Sequence, residues 1–190
     1  MNREDLEHLI RAAAAVTDEY EFVIVGSQSI LGSIPDAPSE LKMSAEADMY
    51  PLNAQDKSIQ IEGALGEGSM FHTTHGYYAQ GVGPETAVLP EGWKDRLQRV
   101  QTQATNGRVG YCLDVLDLFM AKTVANREKD REFNMALLRY GYVTPGTAID
   151  MVPLMPVDDT TKRDMRARIR RWVKLLKDRG YEVPTRERDR

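Results

Sequence analysis

Hydrophobic residues recur along the first fifty positions with two different periods. Over residues 3–16 they return every three or four positions, which predicts an amphipathic helix. The short apolar run Glu21-Phe-Val-Ile-Val ends at Gly26 and predicts a buried strand, and the alternation of polar and apolar residues over 44–50 predicts a second strand. A proline-containing loop over residues 33–43 separates the two.

Further along, the pattern changes between helical and extended segments. We expect a helix over residues 54–65, strand and turn over the aromatic, glycine-punctuated residues 69–82, and another strand over residues 96–103. The helix is expected to bury three apolar positions: Ile59, Ile61 and Leu65.

The second half of the chain has helical spacing almost throughout. Residues 112–125 predict one helix, and residues 127–139 predict a second that Gly141 ends as a C-cap. A short helix is expected after Pro145, and a last long helix over residues 158–179.

Together these elements predict an α+β fold, with a small mixed sheet flanked by helices and a C-terminal helical region. The 190 residues are enough for one domain with a helical extension. We expect an α/β core over residues 1–110, a helical region packed on it over residues 111–182, and a tail over residues 183–190.

Charge is distributed unevenly along the chain, although the net charge is only -4. Residues 162–190 contain 12 Lys/Arg and 5 Asp/Glu, whereas the rest contains 13 Lys/Arg and 24 Asp/Glu. Acidic groups can gather metal ions, and a basic segment can meet phosphate or an acidic partner. The last helix is therefore either a core-docked helix with a solvated face or a surface for nucleic acid or protein.

Cysteine content and hydropathy indicate a cytoplasmic protein. Cys112 is the one cysteine, so no disulfide can form within the chain, as is usual in a reducing compartment. Its apolar neighbours indicate a buried, inert thiol. The N-terminus is charged and unlike a signal peptide, and no stretch approaches the roughly 20 apolar residues of a membrane span.

Two features of the predicted strands carry candidate chemistry. Gly26-Ser27 lies where a strand turns into a helix, and backbone N–H groups at such a turn can hold phosphate, although the pattern alone is usually just a tight turn. Glu46 and Asp48 lie two residues apart on the second strand, so both carboxylates share one face. Oxygen ligands of this kind suit Mg²⁺ or Mn²⁺, although an isolated pair more often forms a solvated face.

A charged cluster follows the apolar helix of the second half. Lys122 and Arg127 can clamp a triphosphate, and Asp130 can orient that clamp or act as a base. The alternative interpretation is a salt-bridged helix surface.

Histidine and tyrosine pairs in residues 72–78 offer other chemistry. His72 and His75 are more often structural or substrate-lining than a zinc pair, since no third soft ligand lies nearby in the sequence. Tyr77 and Tyr78 can stack on a base, but half-buried strand aromatics are the commoner explanation.

The order of these motifs resembles the DNA polymerase beta-like nucleotidyltransferase superfamily. The segment Ser44-Ala-Glu-Ala-Asp-Met is similar to the Ser-x-Asp-x-Asp segment of the AbiEii/MenT type of toxin nucleotidyltransferases. Lys122 and the segment from Arg127 to Asp130 are similar to that group's later lysine and Arg-Asp motif. The match in order and spacing extends over residues 22–133.

This resemblance implies a nucleotidyltransferase-like fold and transfer of a nucleoside monophosphate from a nucleoside triphosphate. It implies that Glu46 and Asp48 are catalytic residues that hold Mg²⁺ or Mn²⁺, and that Gly26, Ser27 and Ser44 bind the nucleotide. It also implies that Lys122 and Arg127 bind the nucleotide and that Lys122 and Asp130 are catalytic. In the toxin branch the acceptor can be the 3′ end of a tRNA, and an antitoxin protein restrains the enzyme.

Two departures from the motif leave a second function open. Glu46 stands where the motif usually has aspartate, and the 18 residues between Ser27 and Glu46 form a longer loop than usual. A relative that binds nucleotide or a partner protein without catalysis is therefore the alternative hypothesis.

Overall fold

A five-stranded mixed sheet is the centre of the fold in the computed structural model, which describes residues 1–186. The α+β class and the flanking helices are as predicted from the sequence. Residues 187–190 of the predicted tail lie outside the described part. In chain order the strands are β1 (Glu21–Val25), β2 (Glu46–Pro51), β3 (Tyr78–Gly81), β4 (Gln98–Val100) and β5 (Val109–Cys112).

Eight α-helices are found in the described residues, and the chain divides into two compact units. Unit 1 consists of Met1–Ala87 and Arg96–Asp114, and unit 2 consists of Val88–Asp95 and the chain from Val115 onward. The helices are α1 (Arg3–Thr17), α2 (Ile30–Ser33), α3 (Ser58–Leu65), α4 (Met70–His75), α5 (Val115–Ala125), α6 (Glu128–Tyr140), α7 (Pro145–Met151) and α8 (Asp159–Asp178).

The sheet, which belongs to unit 1, has the strand order β3-β2-β1-β5-β4. β1 pairs antiparallel with β2 and parallel with β5, β3 runs parallel to β2, and β4 runs antiparallel to β5. In the pairing of β1 with β2, Val25 lies opposite Asp48. This register brings the end of β1 beside the middle of β2.

The alternating pattern of β2 separates a buried face from a polar face, as expected. Ala47 and Met49 are fully buried, whereas Glu46 and Asp48 are only half-buried. Helix α1 covers the sheet with the apolar face that its sequence predicted, and Leu6, Leu9 and Ile10 are fully buried.

The aromatic segment after α3 differs from the prediction, because it begins with a helix rather than a strand. The Ser69 hydroxyl accepts a hydrogen bond from the backbone N–H of His72, and Gly76 adopts the left-handed conformation that ends α4. These two caps outweigh the extended preference of the threonine and aromatic residues between them. The strand β3 follows only at Tyr78.

The expected helix over residues 112–125 begins later than predicted, since Cys112 ends a strand. β5 lies between β1 and β4, and it is a short apolar run that merges with the apolar helix α5. A β-carbon at Gly110 would overlap Ile10 of α1 and Ile24 of β1, so the sheet and α1 approach closely there. Cys112 is fully buried, and burial raises the pKa of its thiol to about 12.

Two smaller predictions were also tested by the fold. Ile61 and Leu65 are buried as expected, but Ile59 is 76% exposed, so its predicted inward position is wrong. The strand expected over residues 96–103 is limited to Gln98–Val100.

Unit 2 contains α5 to α8. Gly141 ends α6 in the left-handed conformation, as predicted. The apolar side of α8 is buried through Met165, Ile169, Trp172 and Leu176. Within the described residues, no helix is both long and apolar enough to cross a membrane.

Candidate active site

The turn after β1 places Gly26 directly against a carboxylate of β2. Gly26 has φ +66°, and a β-carbon at this position would overlap the Asp48 carboxylate. The Gly26 carbonyl accepts hydrogen bonds from the Ser29 N–H at 3.2 Å and the Ser29 hydroxyl at 2.8 Å, which fix the turn into a short 3₁₀ helix over Ser27–Ser29. Only glycine satisfies both the positive φ and the close approach.

Glu46 and Asp48 form an acidic face on β2, and β3 supplies two polar side chains to the same face. The parallel register puts Tyr78 opposite Glu46 and Gln80 opposite Asp48, with the fully buried Ala79 between them. The Tyr78 hydroxyl donates to Glu46 Oε2 at 3.2 Å. We call the two carboxylates, Tyr78 and Gln80 the acidic edge.

Gln80 bridges the two carboxylates of the acidic edge. With its amide nitrogen turned toward them, it donates to Glu46 Oε1 at 2.6 Å and to Asp48 Oδ1 at 3.2 Å. Sequence reasoning missed Gln80 because it treated this segment as aromatic strand and turn. The signal that could have found it is the alternation Tyr78-Ala79-Gln80, which has the same polar period as β2.

The electrostatics of the acidic edge keep Tyr78 protonated. Burial and the nearby negative charge of Glu46 raise the pKa of the Tyr78 phenol to about 12. Tyr78 therefore remains a hydrogen-bond donor at every physiological pH, and it holds one Glu46 oxygen while the other points toward Gln80 and Asp48.

The serine residues predicted to bind nucleotide lie in two different settings. The Ser44 hydroxyl lies 3.1 Å from the Glu46 backbone nitrogen and 3.2 Å from the Glu46 carbonyl oxygen, so it stabilises the start of β2. The Ser27 hydroxyl is half-buried and makes no hydrogen bond within residues 1–186. Ser27 is therefore the serine whose hydroxyl can donate to a ligand.

The donor set of the acidic edge fits a hard divalent cation. Mg²⁺ usually takes one or two protein carboxylates and completes its coordination with water and phosphate oxygens. Glu46 and Asp48 supply such a pair. Among the residues that the structure describes, no group of three or more histidine, cysteine or acidic side chains can hold a metal ion, which also leaves His72 and His75 without a third ligand.

The two histidines instead take part in packing at α4. The His75 ring makes edge-on or tilted contacts with the rings of His8, Phe71 and Tyr77. The His8 Nδ1 atom and the Tyr77 hydroxyl share a hydrogen bond at 2.7 Å. The His72 Nδ1 atom accepts the Gly68 N–H at 3.0 Å. These contacts favour the structural interpretation of the pair.

The second group of predicted residues lies together in unit 2. Lys122 of α5 donates to Asp130 Oδ1 at 3.0 Å, and Arg127 donates to Asp130 Oδ2 through its Nε at 2.7 Å and its backbone nitrogen at 3.2 Å. A further bond at 3.3 Å joins Arg127 Nη2 to Asp130 Oδ1. Both oxygens of Asp130 are thus engaged, and Lys122 also lies over the Phe133 ring.

Burial and the charges of the partners act in opposite directions on the pKa values of this ion pair. Burial lowers the pKa of the Lys122 ammonium, although the charge of Asp130 acts against that shift. Burial alone would raise the pKa of Asp130, but the hydrogen bonds and charges of Arg127 and Lys122 lower it overall. A carboxylate with a lowered pKa is a poor proton acceptor, so the geometry favours Asp130 as the residue that orients Lys122 rather than as a base.

A comparison with protein-family models matches residues 4–137 to the family described as nucleotidyltransferase of unknown function (DUF6036). The matched range includes the acidic edge and the Lys122–Asp130 pair. The chain belongs to this family.

Comparisons with curated proteins and with solved structures gave no match. Membership of the family therefore gives the class of the protein, a nucleotidyltransferase.

Proposed function

We propose that this nucleotidyltransferase moves a nucleoside monophosphate from a nucleoside triphosphate to an acceptor hydroxyl, with Mg²⁺ or Mn²⁺ held by Glu46 and Asp48. In this reaction the acceptor oxygen bonds to the α-phosphorus, the bond to pyrophosphate breaks, and the hydroxyl proton leaves to solvent. The observation that carries the proposal is the acidic edge, where two carboxylates share one face beside the Gly26 turn.

The residues of unit 1 have separate roles in this proposal. Gly26 leaves room for the Asp48 carboxylate, and the Ser27 hydroxyl donates to a phosphate oxygen. Glu46 and Asp48 provide the negative charge that attracts the cation. When bound, the metal ion supplies charge neutralisation for the triphosphate and lowers the pKa of the attacking hydroxyl.

Tyr78 compensates for glutamate at position 46, where the related motif usually has aspartate. The longer glutamate side chain has one more rotatable bond, so its carboxylate needs a partner to fix it. The hydrogen bond from Tyr78 to Glu46 Oε2 provides that partner and directs Oε1 toward Asp48 and Gln80. Such support of a ligating carboxylate by an outer partner is common in metal sites.

The Lys122–Asp130 pair has a second role in the proposal. We assign Lys122 and Asp130 a catalytic role and Arg127 a nucleotide-binding role; within unit 2, Asp130 holds the Lys122 ammonium in place, and Arg127 carries its charge on an exposed side chain. This assignment rests on the resemblance of these residues to the later motifs of the toxin-type enzymes.

We further propose that the acceptor is RNA, with the 3′ end of tRNA as the specific candidate and a toxin role restrained by an antitoxin protein. The resemblance of residues 22–133 to AbiEii/MenT enzymes supports this choice. The exposed basic residues of α8 support it independently, because RNA binding depends on phosphate neutralisation.

Incubation of the purified protein with each α-labelled nucleoside triphosphate, Mg²⁺ and total RNA tests the proposal. We expect label in the RNA fraction and release of pyrophosphate, both lost in Asp48→Asn. Labelling of purified tRNA would support the narrower proposal. Nucleotide binding without any transfer to RNA or protein would overturn the enzymatic function and favour a catalytically degenerate binding protein.

A further inference from the structure

The Gln80 amide lies at a position where its two orientations have opposite electrostatic consequences. The end of the amide that faces β2 lies 2.6 Å from Glu46 Oε1 and 3.2 Å from Asp48 Oδ1. If nitrogen occupies that end, it donates to both carboxylates. If oxygen occupies it, three oxygens converge on one point, which is unfavourable unless a cation lies among them.

We propose that Gln80 is a third oxygen ligand of the metal site and that its amide reverses when the cation binds. This inference rests on the proposed function, since it concerns the same metal ion. Without metal, the amide nitrogen neutralises part of the repulsion between Glu46 and Asp48. With metal, a half-turn of the amide about its terminal bond presents the oxygen in the same place.

The amide is well suited to this exchange because its two ends are nearly equal in size. Glutamine oxygen is an accepted ligand of hard cations, and the reversal needs no movement of the strand. Gln80 is exposed, so the amide can rotate without displacing core residues. Tyr78 does not compete for the same position, since its hydroxyl binds Glu46 Oε2 rather than Oε1.

A neutral third ligand also has a consequence for affinity. Two carboxylates and one amide carry less negative charge than three carboxylates, so the site binds metal more weakly than a triacidic site. The cation then depends on phosphate oxygens for tight binding, which couples metal binding to the arrival of the triphosphate.

The test is a titration of the nucleotide-free protein with Mn²⁺, in which electron paramagnetic resonance measures the bound fraction of the ion. Gln80→Leu removes both orientations of the amide. If Gln80 is a ligand, this variant binds Mn²⁺ about tenfold or more weakly than the parent protein. If Gln80 acts only as a donor that must be displaced, the variant binds Mn²⁺ equally well or more tightly, and the inference is wrong.

Three companion variants separate the possible failures. Gln80→Met keeps the length of the side chain and should weaken binding as Gln80→Leu does, whereas Gln60→Leu on the exposed side of α3 should leave it unchanged. Gln80→Glu should bind Mn²⁺ more tightly and melt at a lower temperature without metal. If neither the parent protein nor Gln80→Glu binds Mn²⁺, the proposed metal site itself is rejected. If Mn²⁺ binding depends on Asp48 but is unchanged in Gln80→Leu, only the role of Gln80 is rejected.

Discussion

At the scale of single residues, Asp48 is the group on which the proposed chemistry depends most. Its carboxylate lies against the Gly26 turn, opposite Val25 of β1 and Gln80 of β3. Glu46, the other acidic residue of β2, has a register partner on β3 but none on β1. The effect of replacing Asp48 should therefore appear in ligand binding rather than in folding.

We expect Asp48→Ala to fold normally and to lose the stabilisation by Mg²⁺ and nucleoside triphosphate. For the parent protein, ligand at about 100 times its Kd should add about 2.7 kcal/mol of stability. Thermal unfolding with and without the ligand measures this difference. Asp56→Ala, at an exposed acid outside the acidic edge, is the control. An undiminished ligand-induced shift in Asp48→Ala would reject metal binding at this residue.

The second prediction at this scale concerns Gly26. A side chain at a positive φ costs roughly 1–3 kcal/mol, and in Gly26→Ala the new β-carbon would also displace the Asp48 carboxylate. We expect lower stability in urea and weaker Mn²⁺ binding. Gly63→Ala in α3 is the matched control, because its β-carbon meets no atom within 4 Å and alanine favours helix. A Gly26→Ala variant with unchanged stability and Mn²⁺ affinity would contradict the close approach.

At the scale of secondary-structure elements, local sequence was enough to predict β1, β2 and most helices. The i, i+2 spacing of Glu46 and Asp48 fixes their common face without knowledge of the partner strand. β5 was missed because the residues Val109-Gly-Tyr-Cys show no alternation of apolar and charged positions, and their apolar run continues into α5. The alternation over Tyr78-Ala79-Gln80 marks one polar face, but its position beside Glu46 and Asp48 depends on the register between β2 and β3, which long-range pairing sets.

The link between α5 and α6 carries the third prediction. Asp130→Asn leaves the buried Lys122 ammonium without its anionic partner and should cost about 3–5 kcal/mol at pH 7. Urea unfolding measures the loss. The double variant Lys122→Met/Asp130→Leu should lose much less, because no charge remains buried, and Asp150→Asn at an exposed site should lose almost nothing.

The pH dependence of this loss follows from the lowered pKa of Asp130. A carboxyl whose folded pKa lies below its ordinary value of 3.8 contributes stability above that pH, and the contribution disappears as the pH falls through the folded pKa. The difference between the parent protein and Asp130→Asn should therefore be constant from pH 7 to about pH 5 and shrink below about pH 4. A difference that persists unchanged at pH 2 would contradict the ionised state of the pair.

At the scale of the whole molecule, charge is concentrated by segment rather than spread evenly. Residues 162–190 carry an excess of basic residues, whereas the rest of the chain carries an excess of acidic residues. The acidic part by itself would repel nucleic acid. The buried apolar side of α8 explains its docking in unit 2, but it does not explain the number of arginines on the opposite side. The proposed RNA acceptor would give those arginines a function.

We expect replacement of Arg163, Arg166 and Arg170 by glutamine to weaken RNA binding and to flatten its dependence on salt. Each lost phosphate contact on a single strand should reduce the slope of log affinity against log salt by about 0.7. Fluorescence anisotropy at several salt concentrations measures the slope. A variant with glutamine at Lys42, Lys94 and Arg99 has the same charge change elsewhere and should bind almost as the parent does. Equal RNA affinity of the α8 variant at every salt concentration would assign the helix to structure or to a protein partner.

The proposed reaction requires the acidic edge to hold the metal ion beside the triphosphate of the substrate. A crystal structure with Mn²⁺ and a non-hydrolysable nucleoside triphosphate, analysed by anomalous scattering at the manganese edge, is the decisive experiment. We expect an anomalous peak coordinated by oxygens of both Glu46 and Asp48, with the triphosphate beside Gly26 and Ser27. A nucleotide bound with its Mn²⁺ ion away from these carboxylates would contradict it.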